Sequence, residues 1–348
     1  MPGSAGHVIS ANMIMKTLNI ALVGAGTIGR MHARHLWRAI DGARLHGVAD
    51  VFAEGAKACA EQNGGVRWTT DYNELLADPA VDAVVVASAT ATHPDIVEAA
   101  AKAGKAIFSE KPIAKSIADG ERALGAVERA GVPFQIGFQR RFDPNFARIK
   151  QAIVSGEIGK PHIAHLISRD PGPPHVGPVG LGGGIWFDMA IHDLDMARWL
   201  MDDEAVEIYT QAGVMIAPGL EKYGEVDVAV MVLRFANGGV VTIDNHTDSA
   251  YGYDQRAEVI GSKGAISIDN AYPNNAVLSN AAGLHHSVPL PYFLDRYQAV
   301  YRDEIQVFVN CLLQNTPMPV GVKDARASLA LAVAAKQSHE EKRPVKLG

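Results

Sequence analysis

The 348-residue chain is predicted to fold as an α/β unit built on a doubly wound parallel sheet, followed by an α+β unit built on a large open antiparallel sheet. Three observations lead there. Up to residue 137, short apolar runs take turns with segments of helical composition across short links. From residue 206 to 268 the apolar runs follow one another directly, and Asn237-Gly238 and Gly261-Ser262-Lys263-Gly264 between them have hairpin-turn composition. At 48% hydrophobic and 20% charged residues, the chain has the profile of a folded globular protein large enough for two cores.

Residues 18–23 form an apolar run suited to a buried parallel strand, and residues 30–40 read as a helix. Between them stands Gly24-Ala25-Gly26-Thr27-Ile28-Gly29. Gly24 makes a tight turn, Gly26 lets a pyrophosphate approach the backbone, and Gly29 permits close helix packing, so the whole turn, Thr27 and Ile28 included, is read as a dinucleotide site. A second strand, 45–49, ends at Asp50, where an acid accepts hydrogen bonds from the adenosine ribose; Asp50 also suits a plain turn after a strand. Val51, Phe52 and Ala53 supply no arginine for a 2′-phosphate, which favours NAD over NADP.

The alternation continues with strands at 66–69, 81–87, 106–109 and 133–137 and helices at 71–77, 94–103 and 116–130. Ligands of such sheets bind at the carboxyl ends of strands. Two stretches fall there. In Ser88-Ala89-Thr90-Ala91-Thr92-His93 the hydroxyls suit ribose or phosphate contacts and equally suit helix caps. In Glu110-Lys111-Pro112, Pro112 restricts Lys111 toward extended backbone, which aims the side chain from the strand end. That lysine is read either as stabilising a developing alkoxide or bonding the nicotinamide ribose, or as an ordinary surface residue.

Beyond residue 137, 142–154 reads as a helix and 158–161 as a turn. Residues 163–169 read as a strand, and Asp170-Pro171-Gly172-Pro173-Pro174 as a rigid loop leading to Gly182-Gly183-Gly184. From Phe187 a helix is expected, apolar almost all round and hence buried, with Asp188, His192, Asp195 and Trp199 on one stripe. A buried carboxylate and imidazole one turn apart are expected to pair, so that Asp188 orients His192 as a base. A core histidine and a metal site of Asp188, His192 and Asp195 are the alternatives; no further His or Cys cluster near it favours the metal. Strands follow at 206–215, 226–235, 239–246, 256–260 and 265–268, then helices at 302–313 and 325–341, the last returning toward the first unit.

The net charge of −6, without a lysine- or arginine-rich run, argues against nucleic acid or an anionic membrane as partner. Only Cys59 and Cys311 occur, which fits a reducing cytoplasm and offers no zinc framework. Residues 1–16 read as a loose extension without the pattern of a signal peptide, and no run reaches the ~20 apolar residues of a membrane span.

Together these motifs resemble the Gfo/Idh/MocA oxidoreductases, and within them the inositol 2-dehydrogenases. The likeness covers about 18–347 and rests on the glycine turn, Glu110-Lys111-Pro112, Gly137-Phe138-Gln139-Arg140-Arg141-Phe142-Asp143, Ser168-Arg169-Asp170-Pro171, Asp188 to Asp195, and Tyr251-Gly252-Tyr253-Asp254-Gln255. It departs at Ala91-Thr92, where many relatives have proline ahead of the histidine. The resemblance implies a Rossmann domain over 17–137, a substrate and oligomerisation domain over 138–348, NAD, often a homotetramer, and a catalytic trio of Lys111, Asp188 and His192. The implied cofactor contacts are the turn with Asp50, Ser88, Thr90, His93, Glu110 and Lys111. For a polyol, whose hydroxyls need converging polar groups, the candidates are Arg140, Arg169, Asp170 and Tyr253 beside Asp188 and His192. Arg140 and Arg141 alternatively pair with Asp143 or the cofactor, and His246 reads as structural. The expected reaction is NAD-dependent oxidation of a ring secondary hydroxyl of myo-inositol or a stereoisomer, the proton leaving to His192 or to Lys111. The rivals are another sugar or polyol, and a nucleotide-binding sensor without turnover.

Overall fold

The computed structural model describes residues 16–172 and 183–348; residues 1–15 of the expected extension, and Pro173, Pro174 and Gly182 of the expected loop, lie outside them. The first unit runs β1 (Leu18–Val23), α1 (Thr27–Arg38), β2 (Ala43–Ala49), α2 (Ala53–Gln62), β3 (Arg67–Thr69), α3 (Tyr72–Leu76), β4 (Ala83–Val86), α4 (His93–Lys102), β5 (Ala106–Glu110), α5 (Ile117–Ala130) and β6 (Phe134–Gly137). Its six strands pair in parallel in the order β3-β2-β1-β4-β5-β6. Such a sheet is covered on both faces, which is why β4 and β5 are buried at every residue and read as continuous apolar runs. Helix α2 was not anticipated; its composition is mostly Ala, Gly and charged residues, and only Ala56, Cys59 and Ala60 are buried, so it lacks an apolar stripe.

The second unit continues with α6 (Pro144–Val154), β7 (Pro161–Arg169), α7 (Ile191–Met201), β8 (Ala205–Gly213), β9 (Val228–Phe235), β10 (Val240–His246), β11 (Asp254–Gly261), β12 (Ala265–Ile268), β13 (Val277–Asn280), β14 (Gly283–His286), α8 (Phe293–Gln314), α9 (Val322–Glu341) and β15 (Val345–Lys346). Seven strands form one sheet, ordered β12-β11-β7-β10-β9-β8-β15. Both expected hairpins form: Phe235 N–H bonds the Gly239 carbonyl with Gly238 at φ +90°, and Gly261 N–H bonds that of Gly264 at 2.8 Å. The sheet is not wholly antiparallel, however. Strands β7 and β10 pair in parallel, because the chain leaves β7 through α7 and the β8–β9 pair before returning beside it, a crossover rather than a hairpin.

The last helices join the two units. Ile305, Phe308 and Val309 of α8 enter the core formed by β1, β5 and α1. Helix α9 lies against α5, with Leu329 beside Gly120, and Ile136 of β6 bonds the Val320 carbonyl just before it at 3.0 Å. Lys111, just past the carboxyl end of β5, thereby meets Asp188, just ahead of α7.

Candidate active site

The glycine turn is shaped by contacts only glycine tolerates. Gly24 sits at φ +103° with the Ala87 backbone where a Cβ would stand, and a Cβ on Gly29 would collide with the Gly24 carbonyl oxygen. Gly26 faces open space, and no side chain caps the amides that begin α1. Asp50 Oδ2 accepts Ala25 N–H at 2.6 Å and Oδ1 accepts Phe52 N–H at 2.9 Å, so one carboxylate ties the end of β2 to the turn. Free N-terminal amides, an open glycine face and an acid at the end of β2 fit a dinucleotide.

The Ser88 to His93 segment is more structural than expected. Ser88 and Thr92 share a hydroxyl hydrogen bond at 2.8 Å, Thr90 is buried, and the His93 ring is enclosed between the Pro112 carbonyl (Nδ1, 2.8 Å) and the Ser88 carbonyl (Nε2, 3.1 Å). Burial lowers its affinity for a proton. The neutral ring carries one N–H and so donates to one of the two carbonyls, and His93 braces the β4 and β5 loops against each other. Glu110 corrects likewise: its side chain is buried on His32 at 2.7 Å, away from the cleft.

Lys111 and Asp188 meet across the junction of the units. The lysine Nζ donates to Asp188 Oδ1 at 2.6 Å and to the Asp188 carbonyl at 2.8 Å; the Lys111-Pro112 peptide is cis. Asp188 belongs to a π-helix, Ile185–Ala190, that runs directly into α7. Gly184 opens it at φ +64°, where a Cβ would strike the Glu225 carboxylate. The wider π turn displaces Asp188 from the stripe a regular helix would give it. Asp188 is consequently exposed, not buried, and no hydrogen bond joins it to His192, contrary to the expected pair. Nor does Asp195 join them as a metal triad; it pairs with Arg141.

His192 is buried, its ring edge-on to Phe138 at 6.0 Å, with Nδ1 enclosed and unpartnered while Nε2 is not enclosed. Burial, then the charges of Lys111 and Arg140, hold its pKa well below the usual imidazole value, so the ring is neutral. Asp170 is pinned at the end of β7 by backbone bonds to His246 (2.9 Å) and Ser249 (2.6 Å), and burial with the nearby Asp188 charge raises its carboxyl to about 6. Tyr253 is buried beside Tyr297, and burial pushes its phenol well above the usual value. Tyr292, ahead of α8, was missed; burial and the charges of Asp170 and Asp188 raise its phenol, which puts it at this cleft, and nothing in the sequence marked it.

The arginines are committed elsewhere. Arg140, expected at the substrate, is buried with Nη1 at 2.6 Å from Asp193 Oδ1 and 3.0 Å from Ser168 Oγ, and Asn245 holds the other Asp193 oxygen at 2.8 Å. Arg141 forks onto Asp195 at 2.6 and 2.8 Å and reaches Asp324 at 2.8 Å. Asp143 is neither arginine's partner; it caps α6 through Asn145 and Phe146 N–H. Arg169 bonds Asp244 (2.6 Å) and the Tyr251 hydroxyl (2.8 Å), and His246 Nδ1 accepts Asp248 N–H at 3.2 Å, a loop contact.

The profile of the oxidoreductase family with an NAD-binding Rossmann fold matches residues 18–138, and that of the GFO/IDH/MocA C-terminal domain matches 146–267. The chain is 42% identical to the myo-inositol 2-dehydrogenase of Thermotoga maritima, over 95% of this chain and 98% of that one. It is 36% identical to the scyllo-inositol 2-dehydrogenase (NAD(+)) of Bacillus subtilis, over 94% and 95%. The crystal structure of scyllo-inositol dehydrogenase from Lactobacillus casei with bound NAD(H) and scyllo-inositol superposes with a TM-score of 0.88 at 27% identity, covering 95% of this chain and 99% of that one.

Proposed function

Since the chain belongs to the Gfo/Idh/MocA oxidoreductases, we propose that it is an NAD-dependent inositol 2-dehydrogenase whose chemistry is carried by Lys111, Asp188 and His192. The carrying observation is the meeting of Lys111 with Asp188 beside a neutral His192, at the carboxyl end of β5. The turn 24–29 and Asp50 hold the dinucleotide, and NAD, when bound, takes the hydride from the alcohol carbon. The division at residues 137 and 138 belongs to the same reading: β6 ends at Gly137, and the Arg140 and Arg141 ion pairs then tie the chain to α7.

The substrate hydroxyl lies between the Lys111 ammonium and His192 Nε2. The ammonium stabilises the growing alkoxide, and Nε2 of the neutral ring accepts the proton. Asp188 fixes the ammonium rather than the imidazole. Asp170, Tyr253 and Tyr292 border the cleft where the remaining ring hydroxyls need polar partners.

Ile163, Val230 and Val232 leave apolar side chains exposed on the open sheet, which supports assembly through that face into a homo-oligomer, a tetramer by the family resemblance. Among the described residues no helix is long and apolar enough to cross a membrane. A cytoplasmic location is supported by two free cysteines and no disulfide among the described residues.

Steady-state rates over a panel of inositols and sugars, with NAD and with NADP, test the assignment. The expected result is the highest kcat/KM on an inositol with NAD. A sugar that exceeds every inositol overturns the substrate, and tight NAD binding without turnover of any polyol favours the sensor.

A further inference from the structure

Behind the strand that carries Lys111 lies a buried cluster that none of these steps uses. His32 on α1, Glu110 at the end of β5 and Glu304 on α8 are each enclosed, with their ligating atoms within 4.8 Å of one another. His32 Nε2 and Glu110 Oε1 are 2.7 Å apart. Both Glu304 carboxylate oxygens are enclosed without a hydrogen-bond partner. From β6, Gln135 Nε2 donates to the Glu304 backbone carbonyl at 3.1 Å, and on α8 itself Tyr301 sets its ring edge-on to His32 at 6.0 Å. The Glu304 carboxyl thus has the His32 imidazole and the Glu110 carboxyl within reach and the Tyr301 phenol nearby, with no lysine or arginine paired to it among the described residues.

We propose that Glu304 is a positioning residue for the reaction: standing as an uncharged acid against the His32–Glu110 pair, it lets α8 close on the end of β5 and so fixes where Lys111 stands. This rests on Lys111 acting in catalysis, as proposed above. Two carboxylates in one apolar pocket cannot both ionise without a counter-charge. Glu110 has a hydrogen-bond partner in His32 while neither Glu304 oxygen has one, so Glu304 is the group that keeps a proton; burial first, then the neighbouring Glu110, raises its carboxyl well above the usual range. An ionised Glu304 would repel Glu110 across the joint of α1, β5 and α8 and displace the strand end one residue before Lys111. A bound cation suits the cluster less well, because it offers three ligands where structural zinc takes four, and the His32 nitrogen already serves Glu110.

The test uses the full chain and two variants, Glu304→Gln and Glu304→Ala, with thermal unfolding followed from about pH 5 to about pH 8. A carboxyl whose folded pKa is raised costs the fold stability as pH climbs from the ordinary carboxyl range toward the folded value. Glu304→Gln is therefore expected to unfold near the wild-type temperature at the acid end and above it at the alkaline end, the gap widening with pH. A gap that does not change, or a less stable Glu304→Gln at pH 8, overturns the proposal. Stoichiometric metal in the purified wild type that Glu304→Gln lacks overturns it in favour of a cation site. In kinetics Glu304→Gln is expected to keep kcat within about twofold and Glu304→Ala to lose about tenfold or more, with KM for NAD unchanged in both. Equal losses in the two overturn the positioning role. Lys111→Ala, assayed alongside, judges the underlying reading separately: unchanged turnover there removes Lys111 from catalysis, while the unfolding curves still decide the charge of Glu304.

Discussion

Lys111 Nζ lies 2.6 Å from Asp188 Oδ1 and 2.8 Å from the carbonyl of the same residue, so a single residue of the second unit holds the ammonium of the first at two points. The carbonyl contact is indifferent to the side chain, but the carboxylate supplies the charge. Asp188→Asn should therefore keep the lysine near its place while weakening its anchor, lowering kcat about a hundredfold; Lys111→Met should lower it at least as far. Steady-state kinetics, with NAD binding followed separately by fluorescence, checks both. A change confined to KM for NAD would make the pair a cofactor clamp.

The pH profile follows from two shifts of opposite sense. His192 is held well below its usual value by burial and by the Lys111 and Arg140 charges, so its neutral, proton-accepting form persists into mild acid. Asp170, raised to about 6, becomes a carboxylate only above that pH. If the carboxylate accepts a hydrogen bond from a substrate hydroxyl, the acid limb of kcat/KM should lie near pH 6, and Asp170→Asn, which stays uncharged, should lose the limb by remaining at or below the wild type's acid-side value throughout. Stability moves the other way. The folded state holds an extra proton between the unfolded carboxyl range and about 6, so the wild type loses stability as pH rises through that window. Asp170→Asn escapes the loss and should unfold at a higher temperature than the wild type above pH 6. A limb that survives in Asp170→Asn would assign it to another group.

Gly26 and Gly29 separate binding from folding within one turn. A Cβ on Gly26 meets nothing in the protein, whereas one on Gly29 meets the Gly24 carbonyl oxygen. Gly26→Ala should leave the melting temperature within a degree or two and weaken NAD binding about tenfold or more, because it obstructs only the open face. Gly29→Ala should lower the melting temperature as well. Calorimetric binding and melting of both variants decide it; an unchanged NAD affinity in Gly26→Ala would mean that its open face has no part in holding the dinucleotide.

The first sheet was legible because its signals are local: each apolar run, each glycine and Asp50 act within a few residues of one another. The antiparallel pairs were legible where Asn237-Gly238 and Gly261 to Gly264 mark tight turns. The β7–β10 pairing was not, since parallel partners need no turn signal between them. In the cleft, Lys111 and Asp188 could be named as members of one trio, but not as each other's ion-pair partners, because that depends on one π turn whose wider pitch leaves no mark in composition. The same holds for Glu110 and His93. Their positions beside motif residues suggested the cofactor, while side-chain direction, which the sequence does not encode locally, turned both into the protein.

The Arg140–Asp193 pair is where a structural and a substrate role predict different measurements. Arg140 is buried, and its Nη1 is committed to Asp193 and Ser168 while Asn245 completes the carboxylate. Removing one partner of such a pair leaves an uncompensated charge in the core. Asp193→Ala should then cost about 3–5 kcal/mol of unfolding free energy, read from urea denaturation. Replacing both, Arg140→Met with Asp193→Leu, removes the two charges together and should recover most of that loss, since well-packed apolar pairs often match buried ion pairs. Were Arg140 instead a hydroxyl ligand, Arg140→Met alone would raise KM for the polyol with stability nearly intact, and the double variant would restore nothing. Coupling in stability, with KM for the polyol following the fold and not the guanidinium, is the expected outcome.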